Sequence, residues 1–217
     1  MSFQKNKYTV LRKVISPSLA KFVTQYFLLK RRVARKLFDE RYISQFTPDF
    51  GVWNDQQVPN TYSHYSDIAM ETLLTWVQPV MEKHTGLKLS PTYSFARIYK
   101  KGDVLKRHKD RFSCEISTTL NLGGDKWPIY LSPNENVGEP DLKKITLESK
   151  AKGIKVDLKP GDMLIYSGCE LEHWREAFQG EDCIQVFLHY NKADSKKAKK
   201  NEFDSRPHLG LPSWFKK

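Results

Sequence analysis

The sequence predicts an α+β protein that is mainly β: two helices, then a series of short strands forming a sandwich or barrel. Three observations carry this expectation. Apolar residues recur at helical spacing over two early stretches, about 17–39 and 67–86. After Gly86 the period drops to two, with Tyr93, Phe95, Arg97 and Tyr99 alternating against Ser94, Ala96 and Ile98. From there to residue 190, short apolar runs are separated by Gly, Pro and Asp turns, as in sandwiches and barrels.

The first 14 residues read as a short extended segment. Ser16-Pro17 then signals a helix start, Ser as N-cap and Pro at the first helical position. Leu19, Phe22, Val23, Tyr26, Phe27, Val33, Leu37 and Phe38 form a broad apolar stripe, so a helix is expected from about 17 to 39. Residues 45–66 hold Gly, two Pro, two Asn and many aromatics, the chemistry of a long loop. Tyr62, His64 and Tyr65 are expected to pack that loop onto the core. Ser66-Asp67 opens a second helix, with Pro79 as a kink site and Gly86 as terminator. CEISTTLNL, WPIYLS, KITLES, IKVDL, MLIYSG and CIQVFLHY read as strands, with the helices packed on the outer face of one sheet. No domain boundary, repeat or linker is visible. Residues 1–217 read as a single domain with a helical part at about 16–86, a β core at about 88–190 and a basic tail at 191–217, of which NKADSKKAKKNEF reads as mobile and RPHLGLPSWF, with its Leu and Trp, as a segment that can dock back.

With 217 residues, 39% of them hydrophobic and 12% aromatic, the chain builds one good core or two small ones. No apolar run of about 18 residues occurs, so no transmembrane helix is expected. The opening MSFQKNKYTVLRK lacks the apolar region of a signal peptide. Cys114, Cys169 and Cys183 are scattered, with no CxxC pair. That fits a reducing, cytoplasmic setting and argues against a disulfide framework or a zinc ribbon. The net charge of +11 lies partly in Lys30-Arg31-Arg32 with Arg35 and Lys36, partly in the tail. Such charge attracts nucleic acid or another acidic partner. With acidic residues interspersed, a solvated helix face and a soluble tail is the simpler reading.

The chemistry-bearing stretch is YKKGDVLKRHKDR, Tyr99 to Arg111. On an extended segment His108 and Asp110 point the same way and can meet one metal ion. His173, which follows a Pro-Gly-Asp turn and a buried-looking strand, is the candidate third ligand. It lies on a strand that can neighbour the one carrying His108, and the two histidines are compatible with opposite rims of one barrel. Two His and one carboxylate on one face of a metal leave three octahedral positions open, which suits iron(II) chemistry. Residue types alone do not exclude zinc.

Tyr99-x-x-Gly102-x-x-Leu105-x-x-His108-x-Asp110, the strands after it, Pro160-Gly161-Asp162 ahead of His173, and Gly180 before the last strand resemble the iron(II)/2-oxoglutarate-dependent oxygenases, nearest the prolyl 4-hydroxylase-like branch. The resemblance covers about residues 88–190. It implies a double-stranded β-helix, or jelly roll, with His108, Asp110 and His173 as catalytic iron ligands. It also implies 2-oxoglutarate and dioxygen as co-substrates, with release of succinate and CO2. Related enzymes place a Lys or Arg nine or ten residues after the distal His to pair with the far carboxylate of 2-oxoglutarate. Here those positions are Asp182 and Cys183. A buried dicarboxylate still needs a cation. Arg175, two residues past His173, is the preferred replacement, and Arg97, two before Tyr99, is the other. Tyr99 matches a position that commonly touches the same carboxylate. Thr119, Gln185 and His189 are lesser pocket candidates. Strand register decides whether Gln185 and His189, or Val186 and Leu188, face inward.

The leading expectation is a hydroxylase acting on a protein side chain or a small molecule. An oxidative nucleic-acid demethylase is the rival favoured by the charge. It is opposed by Arg97 and IQVFLHY, where that branch shows an Asn and an Arg-x-Asn-x-Thr-x-Arg string. A jelly-roll binding module without metal is the non-enzymatic rival, and the full ligand set counts against it.

Overall fold

The computed structural model describes residues 3–44, 46–132 and 150–215. The expected KITLES strand lies outside them, as does most of the loop at 132–142 that is expected, with the 45–66 stretch, to select substrate. The chain opens with α1 (Phe3–Asn6), β1 (Tyr8–Leu11) and α2 (Pro17–Asp39). Ser16 caps α2, its hydroxyl accepting the Leu19 amide at 3.1 Å. The buried face is Ala20, Val23, Thr24, Phe27 and Ala34. Phe22 and Val33, expected in the stripe, are 71% and 42% exposed. Close approach decides which face turns inward: the Thr24 hydroxyl donates to Leu122 O at 2.8 Å, and a Cβ on Gly123 would sit 2.8 Å from Thr24 Oγ1. Small residues allow that contact and larger apolar ones do not.

The 45–66 stretch is not wholly loop. Its end is β2 (Tyr62–Tyr65), a four-residue edge strand whose Pro- and Asn-rich approach hides it in sequence. Tyr62 joins the core, His64 meets Asp67 at 3.3 Å, and the Tyr65 hydroxyl donates to Asp204 at 2.7 Å. Next comes α3 (Ile68–Thr85), capped by Asp67 and ended by Gly86 in the left-handed region at φ 72°. It continues through the expected kink site at Pro79.

Eight strands follow: β3 (Leu89–Lys100), β4 (Leu105–His108), β5 (Ile116–Gly124), β6 (Ile129–Ser132), β7 (Ile154–Val156), β8 (Met163–Ser167), β9 (Glu172–Arg175) and β10 (Asp182–Lys192). They form a six-stranded sheet in the order β1-β8-β5-β10-β3-β2 and a four-stranded sheet in the order β4-β9-β6-β7. The described pairings are antiparallel. The period-two alternation divides the large sheet's side chains. Ala96, Ile98, Val186 and Leu188 face α2 and α3 in the main core. Tyr99, Phe187 and Cys183 face the other way, packing with Leu105, Trp127 and Phe178. Arg97, Tyr99, Phe187 and His189, which line the candidate site, lie on this second face.

The NKADSKKAKKNEF stretch, expected to be mobile, is docked, as is the RPHLGLPSWF segment after it. The former contains α4 (Lys196–Lys200) with Ala198 buried. Arg206 then pairs with buried Glu71 at 2.8 Å and donates to Thr92 O at 2.9 Å. Those bonds hold the segment against α3 and β3. Among the described residues no helix is long and apolar enough to cross a membrane.

Candidate metal centre

β4 and β9 are hydrogen-bonded neighbours, and their register places His108 directly opposite His173. The rings lie 4.1 Å apart, so the histidines are adjacent rather than on opposite rims. Each Nδ1 meets the carbonyl two residues earlier, Lys106 O at 2.7 Å and Leu171 O at 3.0 Å. A carbonyl only accepts, so Nδ1 carries the proton and Nε2 is left bare for a ligand. Asp110 is placed by its own amide, which donates to Gly168 O at 2.8 Å. Its Oδ1 lies 3.7 Å from His108 Nε2 and 3.4 Å from His173 Nε2. The three donor atoms lie within 4.8 Å of one another. Two bare imidazole nitrogens and one carboxylate oxygen fit a divalent transition metal.

Electrostatics ties the three together. Burial, helped by the neighbouring His173, pushes the His108 pKa down to about 4. Burial also acts against the charged form of His173, but the Asp110 carboxylate outweighs it and raises that pKa. Burial opposes ionisation of Asp110, and His173 and His108 more than offset it, holding the carboxyl below the usual range.

The triad lines a cavity of about 370 Å³ between the sheets. Tyr99 and Arg97 line it, as does His189. The pairing of β10 with β3 and β5 settles the register: Gln185 and His189 face inward. Gln185 accepts from Thr119 at 3.1 Å. Arg97 is 2% exposed and meets Asp55 at 2.9 Å, Tyr99 Oη at 3.2 Å and Gln57 at 3.3 Å. Arg175 is 1% exposed and lies outside the cavity's lining. It donates to Trp127 O and to Thr119 Oγ1 at 3.3 Å, and its Nε has no partner. It pairs with neither Glu172 nor Glu176; Glu172 meets Arg107 instead. Burial raises the Tyr99 hydroxyl pKa against the opposing charges of Arg97 and Arg175. Asp55, Gln57, Ser117 and Tyr166 were not singled out from sequence. Ser117 shares the inward face with Thr119 by period two, a signal that was available.

No family model matches the chain, and no curated protein matches it. Solved structures do. A Pseudomonas putida prolyl-4-hydroxylase is 13% identical, with a TM-score of 0.56 over 88% of this chain and 95% of its own. HygX from Streptomyces hygroscopicus, solved with nickel, 2-oxoglutarate and hygromycin B bound, is 12% identical, with a TM-score of 0.59 over 88% and 85%. A prolyl hydroxylase from Trichoplax adhaerens, in complex with a hypoxia inducible factor peptide fragment, is 15% identical, with a TM-score of 0.53 over 88% and 86%. The chain has the jelly-roll fold of the iron- and 2-oxoglutarate-dependent oxygenases.

Proposed function

We propose that this chain, acting as a single domain over 1–217, is an iron(II)- and 2-oxoglutarate-dependent dioxygenase that hydroxylates a protein side chain or a small molecule. The observation that carries the reading is the convergence of His108 Nε2, His173 Nε2 and Asp110 Oδ1, within 4.8 Å of one another, in the wall of a cavity of about 370 Å³. Iron held there supplies the activation of dioxygen, and 2-oxoglutarate leaves as succinate and CO2 while a substrate C–H becomes C–OH. The chain's own residues bind and orient. Arg175 pairs with the far carboxylate of 2-oxoglutarate, with the Tyr99 hydroxyl beside it. The reason is its charge: a buried guanidinium without a carboxylate costs several kcal/mol, and a dicarboxylate ligand supplies the missing partner. Arg97 already has Asp55. Phe95, Phe187 and Tyr166 wall the cavity and keep water from the reacting centre.

Structures similar in fold hold a peptide fragment in one case and hygromycin B in another, which supports both substrate classes. Three free cysteines support a cytoplasmic setting. One observation favours the second reading, oxidative demethylation of nucleic acid. Lys196, Lys197, Lys199 and Lys200 are exposed on α4, and the Lys197 ammonium sits 4.1 Å over Phe112, next to the cavity-lining Arg111. Salt-sensitive binding of DNA or RNA, lost on neutralising α4, is its test.

The test of the main reading is succinate formed from 2-oxoglutarate with iron(II) and air. Turnover that His108→Ala and His173→Ala abolish supports it. Turnover retained in both variants overturns the ligand assignment, and none in the metal-loaded wild type favours a binding module.

A further inference from the structure

Behind the candidate metal centre runs a second line of hydrogen bonds. Asp110 turns Oδ1 to the two histidines, and its Oδ2 lies 3.0 Å from the Ser117 hydroxyl. The same hydroxyl lies 2.9 Å from Cys114 O and 2.9 Å from His189 Nδ1. Ser117 has one proton to give and three neighbours. A carboxylate oxygen and a carbonyl only accept; of the three, only His189 can donate.

Two arrangements are possible. With the His189 proton on Nδ1, the imidazole donates to Ser117, and Ser117 is free to donate to the charged Asp110 Oδ2 in preference to the neutral Cys114 carbonyl. With the proton on Nε2, Nδ1 needs the serine proton, and the Asp110 Oδ2 contact loses its donor. Ser117 is 0% exposed and His189 5%, so the loss is not made good by bulk water. Leaving a buried charged acceptor unsatisfied costs more than the rearrangement returns. The first arrangement is preferred.

It has two consequences. Ser117 holds Oδ2 back, so Oδ1 is the oxygen presented to a metal. The imidazole edge not engaged by Ser117 is bare Nε2. His189 lines the cavity, with its ring centroid 4.5 Å from that of Tyr93 and stacked with Phe187 at 6.5 Å, so its free edge meets the cavity as an acceptor.

We propose that Ser117 and His189 form a positioning arm for Asp110, and that His189 Nε2 is the specificity contact that takes an O–H or N–H donor of the substrate. The arm rests on reading His108, Asp110 and His173 as metal ligands; the tautomer of His189 does not depend on turnover.

The experiment uses the full chain loaded with zinc as a redox-silent probe. Long-range nitrogen–proton correlation of the histidine rings is expected to give the Nδ1–H tautomer for His189; an Nε2–H tautomer overturns the proposal. Metal affinity and the visible spectrum of the cobalt-loaded protein then test the arm. Ser117→Ala is expected to lose about 10- to 100-fold in affinity, with shifted cobalt bands, while Ser117→Thr restores both. His189→Asn, which keeps a donor near Nδ1, should hold affinity within about threefold, and His189→Gln, whose amide reaches the Nε2 position, should not. Unchanged affinity and spectrum in Ser117→Ala contradict the arm. If iron-dependent succinate formation fails while these results hold, the oxygenase reading falls and the arm stands.

Discussion

Two buried arginines are partnered differently: Arg97 is in the cavity's lining on the side of the 51–61 loop, here called the mouth, and Arg175 lies behind the lining, here called the deep end. Arg97 meets Asp55, Gln57 and Tyr99. Beyond Tyr99, Arg175 meets a carbonyl and a hydroxyl, and no carboxylate lies within ion-pair distance among the described residues. Asp55 also folds its own loop, its Oδ1 accepting the amides of Gln57 at 2.8 Å and Val58 at 3.1 Å. The mouth arginine is thus part of an internal network that fastens a loop. The deep arginine has no such carboxylate, and the proposed co-substrate would supply one.

The largest effect is expected where both ends depend on one centre. His108→Ala or His173→Ala should remove metal binding and reduce 2-oxoglutarate binding at the deep end, while the loop at the mouth keeps its amide protection. Loss of protection at 51–61 would show that the two ends are not separable. Next is Gly168→Ala. A Cβ there would press on Asp110 Oδ2 and Cys114 O and sit 2.9 Å from Ser117 Oγ. Metal affinity should fall at least about tenfold, with Arg97 and Asp55 untouched.

Asp55→Ala is the complementary break. It should raise amide exchange over 51–61 by about tenfold, equivalent to ~1.4 kcal/mol, and leave metal affinity unchanged. A matching loss of metal affinity would mean that the mouth loop also supports the metal centre. The smallest effect concerns pH. Burial opposes ionisation of Asp204, but its bonds from Arg111 outweigh that and hold its pKa down at about 2. A lowered carboxyl pKa stabilises the fold above about pH 4 and loses that contribution as pH falls toward 2. Exchange over 201–211 should rise in that window, and Asp204→Asn should remove the dependence.

Much of this was legible in sequence because it is local. The α2 start follows from Ser16-Pro17 and the α3 end from Gly86, and both are set by neighbours a few residues away. The pairing of His108 with Asp110 was expected from an extended segment; β4 ends at His108, and Asp110 is brought beside it by the bond of its amide to Gly168 O. What was hidden depends on partners far along the chain. Whether Gln185 and His189 or Val186 and Leu188 face inward is decided by two neighbouring strands and the irregularities in their pairing. β2 is invisible until β3 is beside it. Asp55 becomes a partner of Arg97 only once the loop is folded, 42 residues before it in sequence. The docking of Asp204, at φ 57°, needs Arg111, Ser113 and Tyr65 already in place. Composition read that tail as solvated because its fixing bonds are made by single polar residues rather than by an apolar stripe.

The most direct measurement is calorimetric binding of 2-oxoglutarate, without oxygen, to the manganese-loaded chain and two variants. Binding should require the metal, weaken about 100-fold or more in Arg175→Met, and change only several-fold in Arg97→Met, as expected for loss of a buried charge pair. Metal-independent binding, or a larger loss in Arg97→Met than in Arg175→Met, would contradict the assignment of the deep end as the co-substrate site.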